Sequence, residues 1–207
     1  MEELKQLINN SAYTVVFTGA GISTDSGIPD FRSPGGLWSR LAPIDFRDFM
    51  ASDEMRVETW RRKVLLDQEI GKPQPNTAHY AISQLVNIGK VNKVITQNID
   101  NLHQNSGLSE DQIIELHGNG TFAKCLSCDK KYQIDLVKEQ FKKDNLAPVC
   151  TCGGYIKSAT VSFGQSMPPE AMQAAEEVSF ACELFIAVGS SLKVFPAAGF
   201  PLLAKEN

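Results

Sequence analysis

The sequence has no excess of positive charge: 20 Lys and Arg stand against 24 Asp and Glu in 207 residues, a formal net charge of −4. A protein that grips a nucleic-acid backbone needs a broad basic field, so direct nucleic-acid binding is disfavoured. The one dense basic cluster, TWRRK at 59–63, is expected to be a solvated helix face. Long apolar runs are missing too, and none approaches the roughly 20 residues that a membrane span needs. The opening MEELKQLINN sets Leu4, Leu7 and Ile8 on one helical face between charges. That pattern predicts a helix packed onto a domain and lacks the apolar core of a secretory signal, so a cytosolic protein without membrane partners is expected. Internal repeats and low-complexity tracts are absent as well. What remains, 43% hydrophobic and 21% charged residues, is the composition of a soluble globular enzyme or binding domain.

Cysteine is sparse but placed. Four of the five fall in two tight pairs, Cys125 with Cys128 and Cys150 with Cys152, while Cys182 stands alone in an apolar segment and is expected to be a buried small hydrophobe. Paired thiolates across a spacer suit a tetrahedral zinc site better than a disulfide framework. Gly153 and Gly154 would let the tight second knuckle turn. With four cysteines and no histidine beside them, the site is closed, so the zinc is structural.

Four short Val/Ile/Phe-rich runs predict buried strands of a parallel sheet: 13–19, 91–96, 112–116 and 184–191. Helical patterns lie between them. One starts at the N-cap Asn76 and stops at Gly89, and another starts at the prolines 168–169. This alternation predicts an α/β fold whose ligands sit at the carboxyl ends of the strands. The stretch 120–157, with its cysteines, lysines and short amphipathic helix, is expected to be an insertion with a metal for a core.

In TGAGIST, after the first strand, Gly19 and Gly21 would let backbone N–H groups approach a pyrophosphate. Thr24 stands where the third glycine of the dinucleotide fingerprint belongs, and no acid follows at the end of a second strand about 20 residues on, which disfavours hydride transfer. The run GIPDFRS offers an acid, a ring and a guanidinium, groups that bind a sugar hydroxyl, a flat base and a phosphate, so this loop is expected to form a cofactor lid. TQNID places Gln97, Asn98 and Asp100 at the next strand end, and ELHGNG places His117 at another. Three polar strand ends facing one crevice favour a catalytic His117, whereas His79 and His103 lie within helical patterns.

Together GAGISTDSGIPDFRS, TQNID, LHGN, the two cysteine pairs, VSFGQ and GSSLKVFPAA occur in the order seen in the sirtuin family, the NAD-dependent protein deacylases, and the chain from about Ser11 onward resembles that family. The resemblance implies a Rossmann-like NAD-binding domain at 1–119 and 158–207, shortened at its C-terminus, and a small zinc lobe at 120–157. The family continues beyond this ending into a strand whose asparagine helps hold the adenosine. By position, Ala20, Gly21, Thr24, Ile28, Asp30, Phe31 and Arg32 match the cofactor loop. Gln97, Asn98, Ile99 and Asp100 match the surroundings of the nicotinamide and its ribose, and Gly189, Ser190, Ser191 and Val194 match later cofactor contacts. Val161, Phe163 and Gly164 match the positions that hold the peptide and the acyl-lysine stem.

The activity implied is NAD-dependent deacetylation of acetylated lysine in proteins or peptides. In the family the acyl oxygen attacks the ribose carbon bearing nicotinamide, and His117 would then act as general base on a ribose hydroxyl. Asn98 joins His117 as a catalytic candidate. Two neighbouring outcomes share much of this machinery: ADP-ribosyl transfer to protein, and a non-catalytic NAD-sensing module. Where the family carries a glutamate and a proline this chain has Gln165 and Ser158. It also lacks the tyrosine of the Tyr-x-x-Arg pair that marks members acting on acidic acyl groups, so acetyl is the expected acyl group.

Overall fold

The computed structural model describes residues 2–31 and 36–206. In chain order it contains α1 (Glu2–Asn10), β1 (Thr14–Thr18), a 3-10 turn (Ala20–Ser26), α2 (Leu37–Arg40), α3 (Phe46–Ala51) and α4 (Asp53–Ile70). There follow α5 (Thr77–Asn87), β2 (Lys93–Thr96), α6 (Leu102–Asn105), β3 (Ile113–Glu115), β4 (Gly118–Cys125) and β5 (Lys131–Gln133). The remainder is α7 (Ile134–Asp144), β6 (Ile156–Thr160), α8 (Pro169–Ala181), β7 (Leu184–Val188) and α9 (Phe200–Glu206), with two more 3-10 turns at Glu110–Gln112 and Ala197–Gly199.

The four predicted apolar runs are the four strands of one parallel sheet, ordered β3-β2-β1-β7. β1 is buried at all five positions, which is why it has no polar face to alternate with. Its side chains still divide by the two-residue period of a strand. Val15 and Phe17 pack with Ile95, Ile114, Ala175 of α8 and Phe200 of α9. Val16 points the other way, to Val94, Ile113 and the α5 residues Ile82 and Val86. Helices therefore cover both faces, and Cys182 is buried in the first of these cores as expected.

The predicted helix limits hold. The Asn76 side chain accepts from Ala78 N at the start of α5, and Gly89 beyond its end has φ +73°. α1 departs from expectation: none of its residues is buried, and Leu4 and Leu7 remain about half exposed. Polar contacts tether this end of the chain, among them Ala12 N to Glu183 at 2.7 Å.

A second, antiparallel sheet, β5-β4-β6, carries the cysteine pairs and packs against α7. α4 closes this smaller core from outside it in sequence. Trp60 and Val64 pack with Ala123, Ile134, Val137, Phe141 and Ile156, and Trp60 Nε1 donates to Ile156 O at 3.0 Å. Asp67 reaches Lys138 of α7 at 2.8 Å. The cluster 59–63 is accordingly no uniform solvated face, because Trp60 is core while Arg62 and Lys63 are half-buried.

Replacing Trp60 by Phe keeps an aromatic ring in the small core and removes the donor to the Ile156 carbonyl. Urea unfolding should show a loss of about 1–3 kcal/mol, the cost of an abandoned buried acceptor. An unchanged midpoint would show that this bond contributes nothing.

Candidate functional site

Parallel register decides where the polar residues go. Thr18 of β1 lies opposite Thr96 of β2 and Val188 of β7, so three strands end at one level. The loops leaving them open onto a single cavity of about 550 Å³, lined among others by Ala20, Gly21, Asp30, Phe31, Gln97, Asn98, Ile99, His117, Gly189, Ser190, Ser191 and Val194. Val161, Phe163 and Gly164 line another wall. Thr24 and Ile28 line a separate depression beside Arg40 and Glu69. Asp100 does not line the cavity and accepts from Ser23 Oγ at 2.7 Å and from Leu102 N at 3.0 Å. Arg32 lies outside the described residues.

The glycines after β1 act differently from the expectation. Gly19 N donates to Val188 O at 3.1 Å and Gly21 N to Gly189 O at 2.8 Å, so these two N–H groups are spent within the protein instead of facing a pyrophosphate. A Cβ on Gly21 would lie 2.8 Å from the Gly189 oxygen, which makes close approach of two loops the reason for glycine here. Gly189 itself has φ +63°. The segment after them is a 3-10 turn, not a long helix with an open N-terminus.

His117 is held from both sides. Its Nδ1 lies 2.9 Å from Gln97 O, and a carbonyl can only accept, so Nδ1 carries the hydrogen and Nε2 is the basic nitrogen. The His117 carbonyl accepts from Val161 N at 2.8 Å. A Cβ on Gly118 (φ +71°) would sit 2.1 Å from Ala159 O, so only glycine fits beside the histidine. Asn98 is buried and donates both amide hydrogens inward, to Gly19 O and Ser23 Oγ, each at 3.2 Å. Gln97 Nε2 donates to Ser190 Oγ at 2.8 Å, tying the β2 and β7 loops together.

Several contributors were not assigned to the site from the sequence. Trp38 stands between Phe31 and Phe163, with ring centroids 5.5 and 5.2 Å away, and turns the loop and the far wall into one aromatic surface. Arg62 and Lys63 reach the cavity wall from α4. Glu115, two residues before His117, accepts from Gln104 at 2.7 Å and from Asn119 at 2.8 Å. Its carboxyl is pushed above the usual range, chiefly by burial. A Trp after glycines and an acid ending a strand are faint signals, because their roles depend on partners distant in sequence.

In the smaller sheet the four predicted cysteines come together, their sulfurs all within 4.8 Å of one another. Three of the separations are 3.4, 3.5 and 3.7 Å. Tetrahedral Zn–S bonds of about 2.3 Å imply sulfur edges of about 3.8 Å, so the donor set fits zinc. Gly153 (φ +85°) makes the second knuckle, and a Cβ on Gly154 would lie 2.6 Å from Cys125 Sγ. The Tyr132 hydroxyl donates to Cys150 Sγ at 2.9 Å. The Cys150 thiol is drawn down to about 6, first by the Cys152 backbone N–H and then by Tyr132. With four thiolate donors and no position for water, a metal here would hold the fold and stay out of the chemistry.

The family model described as "Sir2 family" matches residues 19–196. A relative from Rhodopseudomonas palustris, an NAD-dependent protein deacetylase, is 55% identical over 207 residues, covering 100% of this chain and 82% of that protein. Among solved structures, Sir2 with a p53 peptide and NAD+ aligns with a TM-score of 0.86 and 38% identity over 100% of this chain and 82% of that one. Sir2 bound to acetylated peptide aligns with a TM-score of 0.87 and 36% identity, with the same two shares, 100% and 82%.

Stripping zinc with a strong chelator should release an equimolar amount of metal and lower the Tm markedly, because metal affinity is folding energy for the β5-β4-β6 lobe. Scanning calorimetry with and without chelator checks this. An unchanged Tm after complete metal loss would show that the lobe holds itself together.

Proposed function

The chain belongs to the Sir2 family, the sirtuins, and from that premise we propose that it is an NAD-dependent protein lysine deacetylase, moving acetyl from lysine to ADP-ribose with release of nicotinamide. The observation that carries this reading is the state of His117: Nδ1–H is held by the Gln97 carbonyl, which leaves Nε2 as a base at the cavity shared by the loops after β1, β2 and β7.

NAD, when bound, supplies a ribose carbon whose bond to nicotinamide can be broken, and a hydroxyl that can carry the acyl group away. The protein's part is to hold, orient and deprotonate. His117 accepts the proton of a ribose hydroxyl. Asn98, its amide donors committed inward, is a fixed polar wall beside it. Ala20, Gly21, Asp30 and Phe31 hold the cofactor from one side, Gln97 and Ile99 from the strand ends, and Gly189, Ser190, Ser191 and Val194 from the β7 loop, while Thr24, Ile28, Arg32 and Asp100 are assigned to the cofactor by their family positions alone. Val161, Phe163 and Gly164 carry the acetylated peptide. The same reading divides the chain into a cofactor domain, 1–119 with 158–207, and a zinc lobe, 120–157.

The cations on the cavity wall fit a neutral acyl group. Arg62 pairs with Glu58 at 2.6 Å and Lys63 with Asp67 at 2.9 Å, so each already has a carboxylate. Glu58 stays ionised, its carboxyl lowered to about 2 by Arg61 first and also by Arg62, against an opposing effect of burial. No described helix is long and apolar enough to cross a membrane. We place the protein in the cytoplasm, and its net charge of −4 gives no support for direct nucleic-acid binding.

Mass spectrometry of an acetyl-lysine peptide incubated with the zinc-loaded chain, with and without NAD, tests the reading. NAD-dependent loss of acetyl with appearance of O-acetyl-ADP-ribose is expected, and His117→Ala should lower kcat by about 10²-fold or more. ADP-ribose left on a protein would favour ADP-ribosyl transfer. Full activity of His117→Ala would remove the base assignment.

A further inference from the structure

Behind the cavity a thread of polar side chains crosses an otherwise apolar core. His79, His103, Thr18 and Thr96 are 0, 1, 0 and 3% exposed. Thr18 and Thr96 are register partners, on the face of the sheet that Val16 and Val94 turn toward α5. The proposed reaction involves none of the four directly.

Counting hydrogens fixes the His79 tautomer and ties that of His103 to the direction of the bond between the two threonines. Thr18 Oγ1 donates to Thr96 Oγ1 at 2.8 Å and lies 2.9 Å from His103 Nε2. A hydroxyl has one hydrogen; in the arrangement in which Thr18 gives it to Thr96, His103 Nε2 supplies the hydrogen between ring and threonine. His103 is then the Nε2–H tautomer with a lone pair on Nδ1. At the far end, Asn76 N donates to His79 Nδ1 at 3.3 Å, so the His79 hydrogen is also on Nε2. The two ring atoms left over, His79 Nε2 and His103 Nδ1, are buried with no partner among the described residues. One is a spare donor and the other a spare acceptor, on rings that meet edge to face with centroids 5.1 Å apart.

Both rings are held neutral. Burial lowers His103 to about 4, with His79 adding to the effect. Burial also lowers His79, opposed by Asp100.

One end of the thread meets the cavity-lining Asn98 and the other meets the turn after β1. Thr96 Oγ1 accepts from Asn98 N at 3.1 Å. Asn76, whose backbone N–H donates to His79, donates from its side chain to Ile22 O at 2.7 Å and to Ser26 Oγ at 3.0 Å, inside the turn after β1. Two short runs of hydrogen bonds, Asn76 to His79 and His103 through Thr18 to Thr96, are thus joined by the contact of the two rings and not by a bond between them.

We propose that His79 and His103 are positioning residues: as neutral Nε2–H tautomers they link the start of α5 to the carboxyl ends of β1 and β2, and so hold the turn after β1 in place against Asn98. As a role in catalysis this rests on the deacetylase reading, while the tautomer assignment stands apart from it.

Long-range proton–nitrogen NMR on the zinc-loaded full chain reads the tautomers directly. Both rings should be neutral and Nε2-protonated between about pH 6 and pH 8. A charged ring, or a hydrogen on Nδ1 of either, would overturn the proposal whether or not the protein deacetylates. For function, His103→Leu fills the space without a donor, whereas His103→Gln restores one. The leucine form should lose about tenfold or more in kcat through misplaced cavity loops, with KM for the peptide little changed, and the glutamine form should recover most of it. Thr18→Val against Thr18→Ser repeats the comparison from the other end of the bond if the leucine form does not fold. Equal kcat for the two members of a folded pair, high or low, would overturn the positioning role.

Discussion

The parallel pairing of β1 between β2 and β7 is the constraint on which the rest depends. It brings Thr18, Thr96 and Val188 to one level, so the first residue past each strand opens onto the same space. Two loops can meet there only because Gly19, Gly21 and Gly189 carry no side chain: a Cβ on Gly189 would stand 2.3 Å from Ile22 N. The backbone N–H groups that might have received a phosphate are used to lock the loops together. Ligand recognition is thereby left to the other groups that line the cavity and to its shape.

The second sheet is joined to this frame by continuous chain and by α4. β4 starts at Gly118, one residue after His117, and Val161 just beyond β6 donates to the His117 carbonyl. The lobe that carries the cysteines is therefore rooted at the histidine. Trp60 and Asp67 brace it from α4, whose Arg62 and Lys63 also face the cavity. Metal, lobe and site are coupled through packing, and the metal has no need to approach a reacting atom.

Much of this was legible in the sequence because the signals were local. Apolar runs ended by polar residues marked the four strands, Asn76 and Gly89 marked the limits of α5, and the cysteine spacing marked the metal site. The illegible parts rest on long-range partners. α4 has a weakly segregated pattern because it serves two surfaces, a small core through Trp60 and a cavity through Arg62 and Lys63. Trp38 matters through Phe163, distant in sequence. The glycines of TGAG suggested a phosphate cradle, since sequence cannot tell a ligand's approach from that of a neighbouring loop. α1 shows the converse failure: its apolar face is clear in the sequence, yet none of its residues is buried.

The central claim is that the converging strand ends make one site where NAD and acetyl-lysine meet at His117. A crystal structure of the zinc-loaded chain with NAD and an acetyl-lysine peptide tests it most directly. The account predicts a ribose hydroxyl within hydrogen-bond reach of His117 Nε2, about 3 Å, with the peptide along Val161 and Phe163. NAD bound with its ribose remote from His117, or a peptide seated on another face, would contradict it.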